Sequence, residues 1–354
     1  MRLPHPFAAA CEELGLSALL SAQQLSASSQ GLLKMRDSLS PQLGLAVDML
    51  CLGRTVSLDA AQDTFGPNLV DWMGSTGLAT VTDSSIQLPN RRLVGHLGRL
   101  VFVGPAGSNA HGYYGPDSVG LGKLLLNARG RCLDLFASTG AQSVLMARSG
   151  DEVDAVEINR ELKGVFELNT AINGCDDRVT ALWGDALRVE LTGPYDTVSL
   201  NAPLFPSFGI EGVDQAADGG ATGNSILRQA LKRCELTDHG RIFSTMTTVG
   251  SPGRPELDWL AQLCRQLNLA FQVIPTGIGR LDGQSRFSAE LVDTLAESSS
   301  TSADTLTQRL RAHWDTHGID RLFFCLLVGG RATGSKATVT VLSNFEGGRG
   351  WWIG

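Results

Sequence analysis

The chain contains no run of about 18 consecutive apolar residues, so no membrane-spanning helix is expected. Its opening residues, MRLPHPFAAACEELGL, carry an apolar patch too short for a secretory core and followed at once by two glutamates, which predicts a cytoplasmic protein. Cysteine is sparse and scattered: the seven residues at 11, 51, 132, 175, 234, 264 and 325 form no C-x-x-C, and no histidine stands at zinc-ligand spacing from them. Reduced thiols, mostly in the core, are therefore expected. His313 and His317 lie one helical turn apart, yet the Glu of H-E-x-x-H and a third ligand are both missing, so no metal is expected. Cations are also short. Twenty-nine Lys and Arg against 36 Asp and Glu leave a net charge of -7, which argues against a large phosphate-binding surface, because nucleic-acid affinity comes mainly from Lys and Arg on phosphates. The expected partner is a small or peptide-like substrate, with neither nucleic acid nor membrane.

What is present divides in two. Residues 1–103 read as a helical module, with apolar periodicity over 41–52, a short helix after Ser57 and another over 67–73. The runs 77–81 and 85–88 then face each other across Asp83-Ser84 as a hairpin. Helices followed by a hairpin resemble a winged helix, but residues 1–100 hold seven Lys/Arg against eight Asp/Glu, so a basic recognition face is not evident. Homodimerisation or covering of an active site is the expected role. Residues 92–103 read as a strand or two leading into a turn-prone loop, 104–109.

The second part, 104–354, is organised around RCLDLFASTGAQSVLMARSGDEVDAVEIN, residues 131–159. An apolar run, a small-residue turn and a helical pattern read as strand, loop and helix, and 153–157 reads as a second strand ending in a carboxylate. Such a unit presents backbone N–H groups at a helix N-terminus and an acid at the next strand's tip, the nucleoside-binding arrangement of doubly wound sheets. Only Gly140 of a possible G-x-G-x-x-G is there, so a dinucleotide is disfavoured.

Asp134-Leu135-Phe136-Ala137-Ser138-Thr139-Gly140 resembles motif I of class I S-adenosylmethionine (SAM) methyltransferases, with Ser138 in place of the usual glycine. That resemblance implies SAM as cofactor or substrate and a Rossmann-like α/β domain with a seven-stranded sheet. It implies that Glu157 accepts both ribose hydroxyls, that Asp185, after a strand over 179–183, accepts the adenine amine, and that Ala186 or Leu187 packs on the ring. The implied cofactor set is Asp134, Ala137, Ser138, Thr139, Gly140, Glu157, Ile158, Asp185, Ala186 and Asn201. By the same resemblance the segment before motif I lies over the methionine end, which makes Tyr113, Tyr114 and Asp117 candidates for contact with cofactor or substrate. These are two of the chain's three tyrosines. A helix cap at Asp117-Ser118 with packed tyrosines is the alternative.

A fourth strand over 195–200 ends at Asn201-Ala202-Pro203-Leu204-Phe205-Pro206. This is similar to the Asn-Pro-Pro-Tyr/Phe motif IV of methyltransferases that act on planar or amide nitrogens. The chemistry is specific: an amine keeps its lone pair for the methyl carbon only if its hydrogens are held off the line of attack. The Asn201 side-chain oxygen and the next backbone carbonyl, that of Ala202, accept those hydrogens, and Pro203 stiffens the loop. Ala202 replaces the first proline and loosens it. Leu204 stands where an aromatic ring usually stacks, with Phe205 available by a one-residue shift. Asp218-Gly219-Gly220-Ala221-Thr222-Gly223 matches the glycine-rich segment that follows motif IV in release-factor-like enzymes and predicts a flexible loop, 207–223, beside the reactive centre.

A helix over 226–234 and a fifth strand over 241–246 follow, and 322–328 with 337–342 are expected as the antiparallel sixth and seventh strands. Residues 280–321, two helices around a Ser/Thr tract, read as an insertion that covers the site. Three functions are compatible: methyl transfer to a nitrogen, cyclisation of SAM to azetidine-2-carboxylate with release of methylthioadenosine, and non-catalytic SAM binding by a regulator.

Overall fold

Proline and hydroxyl caps set the N-terminal helices. Pro6, Pro41 and Pro67 each stand in the first turn of a helix, Pro6–Glu13, Pro41–Ala46 and Pro67–Ser75, where a missing N–H costs nothing. Ser57 caps Leu58–Phe65 by accepting the Ala60 N–H at 3.3 Å. In this computed structural model, which describes residues 5–22, 30–105, 111–211, 218–252, 254–299, 301–332 and 337–342, the chain is mixed α/β with a helical N-terminal region and a large central sheet. Parts of the expected loops 104–109 and 207–223 lie outside the described residues. The chain divides into two compact units, 1–128 with 137–184, and 129–136 with 185–354.

In the first unit the expected hairpin is present as Thr80–Val81 against Ser85–Gln87, and Val56–Ser57 adds a third antiparallel strand. The helices pack Phe7, Met49, Leu50 and Met73 into one apolar core. Burying each such side chain is worth about 2 kcal/mol. Asp48, on a π-helical turn that continues Pro41–Ala46, is 7% exposed and is neutralised by Arg36 at 2.6 Å and Arg54 at 2.8 Å. The same core includes Phe102, from the strand pair Arg92–His96 and Arg99–Val103, and Leu162, Val165 and Ile172. The N-terminal module therefore shares its interior with the helix Lys163–Ile172, and the compact units do not part at residue 103. Also in this unit, Glu152–Glu157 pairs in parallel with Val179–Trp183.

In the second unit the strands run Val339–Val341, Leu269–Arg280, Arg321–Arg331, Leu236–Ser251, Tyr195–Leu200, Arg131–Leu135. Tyr195–Leu200 is parallel to both of its neighbours. The expected pairing of 322–328 with 337–342 is corrected: Arg321–Arg331 lies antiparallel to Leu269–Arg280, and Val339–Val341 is a short parallel partner of that same strand. Pro275, Gly277 and Gly279 weaken the strand signal of 269–280, and the ladder shifts register between Pro275 and Gly277. The fifth strand is also longer than expected, Leu236–Ser251, because its threonines at 245, 247 and 248 are buried although they read as polar.

The insertion forms two helices, Arg286–Ser298 and Ala303–His317. Leu306, Leu310 and Trp314 recur every four residues and are all buried. They share a cluster with Phe208, Val249 and Leu295, and Phe208 meets the Trp314 ring edge-on at 5.8 Å. All seven cysteines are free and six are buried. Among the described residues no helix is long and apolar enough to cross a membrane, and no group of three or more His, Cys, Asp or Glu is placed to hold a metal.

Candidate functional site

The turn after Arg131–Leu135 is built from backbone strain and backbone hydrogen bonds. Phe136, Ser138 and Gly140 have φ of 67°, 51° and 84°, and the helix Ala141–Met146 starts directly afterwards. Gly140 is required here, since a Cβ would lie 2.8 Å from the Phe166 ring. The Ala137 N–H donates to the Val156 carbonyl at 2.9 Å. The Ser138 N–H donates to Glu157 Oε2 at 2.7 Å, and the Asn159 N–H donates to Oε1 at 2.7 Å. Glu157 is the last residue of its strand, as expected. Burial raises its pKa, partly offset by the N–H groups of Asn159, Ser138 and Ile158. A carboxylate has about four acceptor positions, so each oxygen keeps capacity for a further donor. Beside it the apolar Ile158 is 53% exposed.

Ser138 occupies the left-handed region at a cost of about 1 kcal/mol for a residue with a Cβ. Ser138→Gly is expected to stabilise the fold by about 0.5 kcal/mol after the greater freedom of glycine in the unfolded chain is subtracted. Urea denaturation of the two proteins measures it, and a loss of stability would assign the serine a native contact that outweighs the strain.

Segment 111–118 lies against this turn. A Cβ on Gly112 (φ 97°) would run into the Thr139 methyl. Tyr113 is 39% exposed and its hydroxyl donates to Asp117 at 2.6 Å. Tyr114 is 7% exposed and pairs with His96 Nδ1 at 3.0 Å, while His96 Nε2 meets Gln142 Oε1 at 3.3 Å and Gln142 Nε2 donates to the Ser118 carbonyl at 2.7 Å. Since an amide oxygen only accepts, the ring proton sits on Nε2, and Nδ1 accepts from Tyr114. The Tyr114 hydroxyl is thus held in a buried network, whereas Tyr113 and Asp117 form an exposed pair. Nothing in the pattern around His96 marks this network. Asn169 was equally silent: fully buried, it accepts the Phe102 N–H at 2.7 Å and donates to the Phe102 and Thr139 carbonyls at 2.9 and 2.8 Å. A polar side chain on the inner face of the amphipathic helix 163–172 is the only sequence sign of it.

Burial pushes His96 down to about 4, with the Gln142 bond acting the other way. The unfolded chain then binds a proton that the native one excludes, so stability is complete above pH 6.5 and is lost as pH falls towards 4, by about 3 kcal/mol in all. His96→Gln should remove most of that slope. Equal pH dependence of denaturation in the two proteins would show that His96 is not excluded from protonation.

The second unit carries the remaining candidates. Asp134 lies inside its strand, in register with Ser199, and is fully buried rather than at the strand tip. Asp185 Oδ1 accepts the Leu187 N–H at 2.8 Å, and Oδ2 is 3.4 Å from Arg188. Ala186 is 5% exposed and its carbonyl accepts from Arg233 at 2.8 Å. Leu135 and Leu200 are partners in the parallel ladder, so Phe136 and Asn201 leave the sheet side by side at the carboxyl ends of their strands, where open α/β sheets bind ligands. Asn201 is half-buried, and its Oδ1 accepts from Thr245 at 2.8 Å. Ala202 is 4% exposed, Pro203, Leu204 and Phe205 are half-buried, and the Leu204 carbonyl accepts from Thr247 at 2.5 Å. The glycine-rich segment closes on this loop through Gly219 N–H to Phe205 O at 2.9 Å and Ser207 N–H to Gly220 O at 3.0 Å. Thr245 and Thr247 were not singled out by motif, because neither lies within one, whereas the glycine-rich segment stands where its motif match put it.

No family model matches the chain, and no curated protein matches it in sequence. Among solved structures it is similar to Trm5b from Pyrococcus abyssi, at 15% identity and TM-score 0.41 over 71% of this chain and 62% of that one. It is also similar to aTrm5 solved in complex with tRNALeu, at 13% identity and TM-score 0.40 over 70% of this chain and 56% of that one. A third is a SAM-dependent methyltransferase from Geobacter sulfurreducens in complex with S-adenosyl-L-homocysteine, at 17% identity and TM-score 0.36 over 63% and 94%. The chain thus spans about three fifths of the length of the first of these. With a protein solved on tRNA among its matches, the expectation of a small or peptide-like partner to the exclusion of nucleic acid is corrected. Its premise was a net charge, which sums over the whole chain, whereas phosphate recognition depends on where cations cluster.

Proposed function

We propose that this protein is a SAM-dependent enzyme that transfers a methyl group to an acceptor nitrogen. The observation that carries the reading is the placement of Asn201 beside the start of the 136–140 turn, at the carboxyl ends of two parallel strands. Glu157 suits a ribose, being a half-buried carboxylate with acceptor capacity left on both oxygens, and the exposed Ile158 beside it suits an apolar ring face. When bound, SAM supplies an electrophilic methyl carbon on a sulfonium. In the assigned roles Glu157 fixes the ribose, Asp185 accepts the adenine amine beside Ala186, and the Ser138, Thr139 and Gly140 backbone lines the cofactor. Tyr113 and Asp117 stand near that turn as candidate contacts.

Asn201 Oδ1 and the Ala202 carbonyl accept the hydrogens of the acceptor amine and so aim its lone pair. Bound SAM would supply the methyl carbon for a new nitrogen–carbon bond, its sulfur would keep the electron pair of the broken carbon–sulfur bond, and the surplus proton would pass from the product to water. No strong base is needed at a planar or amide nitrogen, because once that nitrogen carries a fourth bond its lone pair is no longer delocalised and it is acidic enough to give its proton to water.

Mass spectrometry of incubations with SAM alone, with total RNA and with total cell protein tests this. S-adenosylhomocysteine released only when an acceptor fraction is present supports methyl transfer and identifies the acceptor class. Methylthioadenosine from SAM alone would replace the reading by cyclisation, and SAM binding with no product in any incubation would leave a regulator.

A further inference from the structure

We propose that Thr245 and Thr247 are positioning residues that set the geometry of the Asn201–Leu204 loop from the neighbouring strand, an inference that rests on the role given to Asn201 above. Ala202 leaves the backbone of this loop free at a position that a proline would fix, yet the loop is held at two points. Leu200 and Ser244 are parallel partners, which puts Thr245 beside Asn201 as that residue leaves the sheet. Thr245 and Thr247 are two residues apart, so they share one face of the strand, and they are 1% and 0% exposed. One hydroxyl reaches the Asn201 amide oxygen and the other the Leu204 carbonyl. The span between these two anchors is Ala202-Pro203, which includes the carbonyl assigned to the acceptor amine.

The arrangement is closed from behind by Gly223, whose φ is 80° and where a Cβ would lie 2.6 Å from the Leu204 oxygen and run into the Thr247 hydroxyl. A valine has the shape of threonine without the hydroxyl, so Thr245→Val removes this hydrogen bond to the amide oxygen and leaves the packing volume nearly unchanged. The amide oxygen then lacks the hydroxyl that aims it. The loss falls on turnover rather than on binding, because orientation of the nucleophile is what the amide contributes.

The test uses the full chain labelled with 15N at asparagine, the Asn201 side-chain NH2 signal being assigned by its disappearance in Asn201→Asp. In Thr245→Val that signal should shift, because the carbonyl conjugated to it loses a hydrogen-bond donor, and Thr245→Ser should restore it. With the RNA or protein fraction that supports S-adenosylhomocysteine release, kcat of Thr245→Val and Thr247→Val should fall about tenfold with KM within about twofold of the parent. An unchanged Asn201 signal together with unchanged kcat in Thr245→Val overturns the proposal, as does a Thr245→Ser variant no better than the valine. Absence of release by the parent protein with either fraction would instead strike at methyl transfer itself, and the amide signal still decides whether the threonines position Asn201.

Discussion

Asn201→Ala is expected to lower turnover by about 10²- to 10³-fold while SAM affinity stays within about threefold, since a group that orients the attacking atom acts mainly in the transition state. Two features of the structure support so uneven an effect. Asn201 stands at the end of its strand with its oxygen tethered by Thr245, and the groups assigned to the cofactor's ribose and adenine, Glu157 and Asp185, do not depend on it. Calorimetric titration with SAM and the rate of S-adenosylhomocysteine release measure the two halves of the prediction. A variant that turns over within about twofold of the parent would remove Asn201 from the mechanism.

Glu157→Ala should do the reverse and weaken SAM binding by about 100-fold. Hydrogen bonds to a charged acceptor are worth about 1.5–3 kcal/mol each, and the loss of even one to two of them reaches that factor. The alanine variant also leaves the Ser138 and Asn159 N–H groups without their acceptor, so part of the loss would come from a disturbed turn. Glu157→Gln separates the effects. It keeps one carbonyl oxygen and the side-chain volume but has neither the charge nor the second acceptor, and about a tenfold weakening with near-normal thermal stability is expected. Full SAM affinity in both variants would show that the ribose is held elsewhere.

Local pattern was enough to place several of the candidate residues on their elements. The strand, turn and helix at 131–146 follow from an apolar run, small residues and a helical period, and Gly140 and Glu157 fall where that pattern places them. Asn201 follows the fourth strand as its motif requires. Chemistry carried by neighbours in space was not legible. Thr245 and Thr247 belong to a segment whose threonines suggest an exposed or ending strand, although it is buried without a break over residues 242–250. His96 and Asn169 are single polar residues in apolar surroundings, and only packing shows that each serves the elements around the 136–140 turn.

By itself the sequence determined the strands and helices from 131 to 200, the place of the 136–140 turn and the residue types that end those strands, because these depend on neighbours within a few positions along the chain. Tertiary structure decided the partner of the Arg321–Arg331 strand, the common core of the N-terminal helices with 162–172, and the anchoring of the Asn201 loop by threonines some 43 residues away. Those outcomes depend on which buried surfaces meet, and a threonine hydroxyl in the sequence does not reveal whether water or a carbonyl will receive it. The turn after Arg131–Leu135 shows both sides: its glycine is legible as a letter, but the Phe166 ring that makes glycine necessary is 26 residues further on.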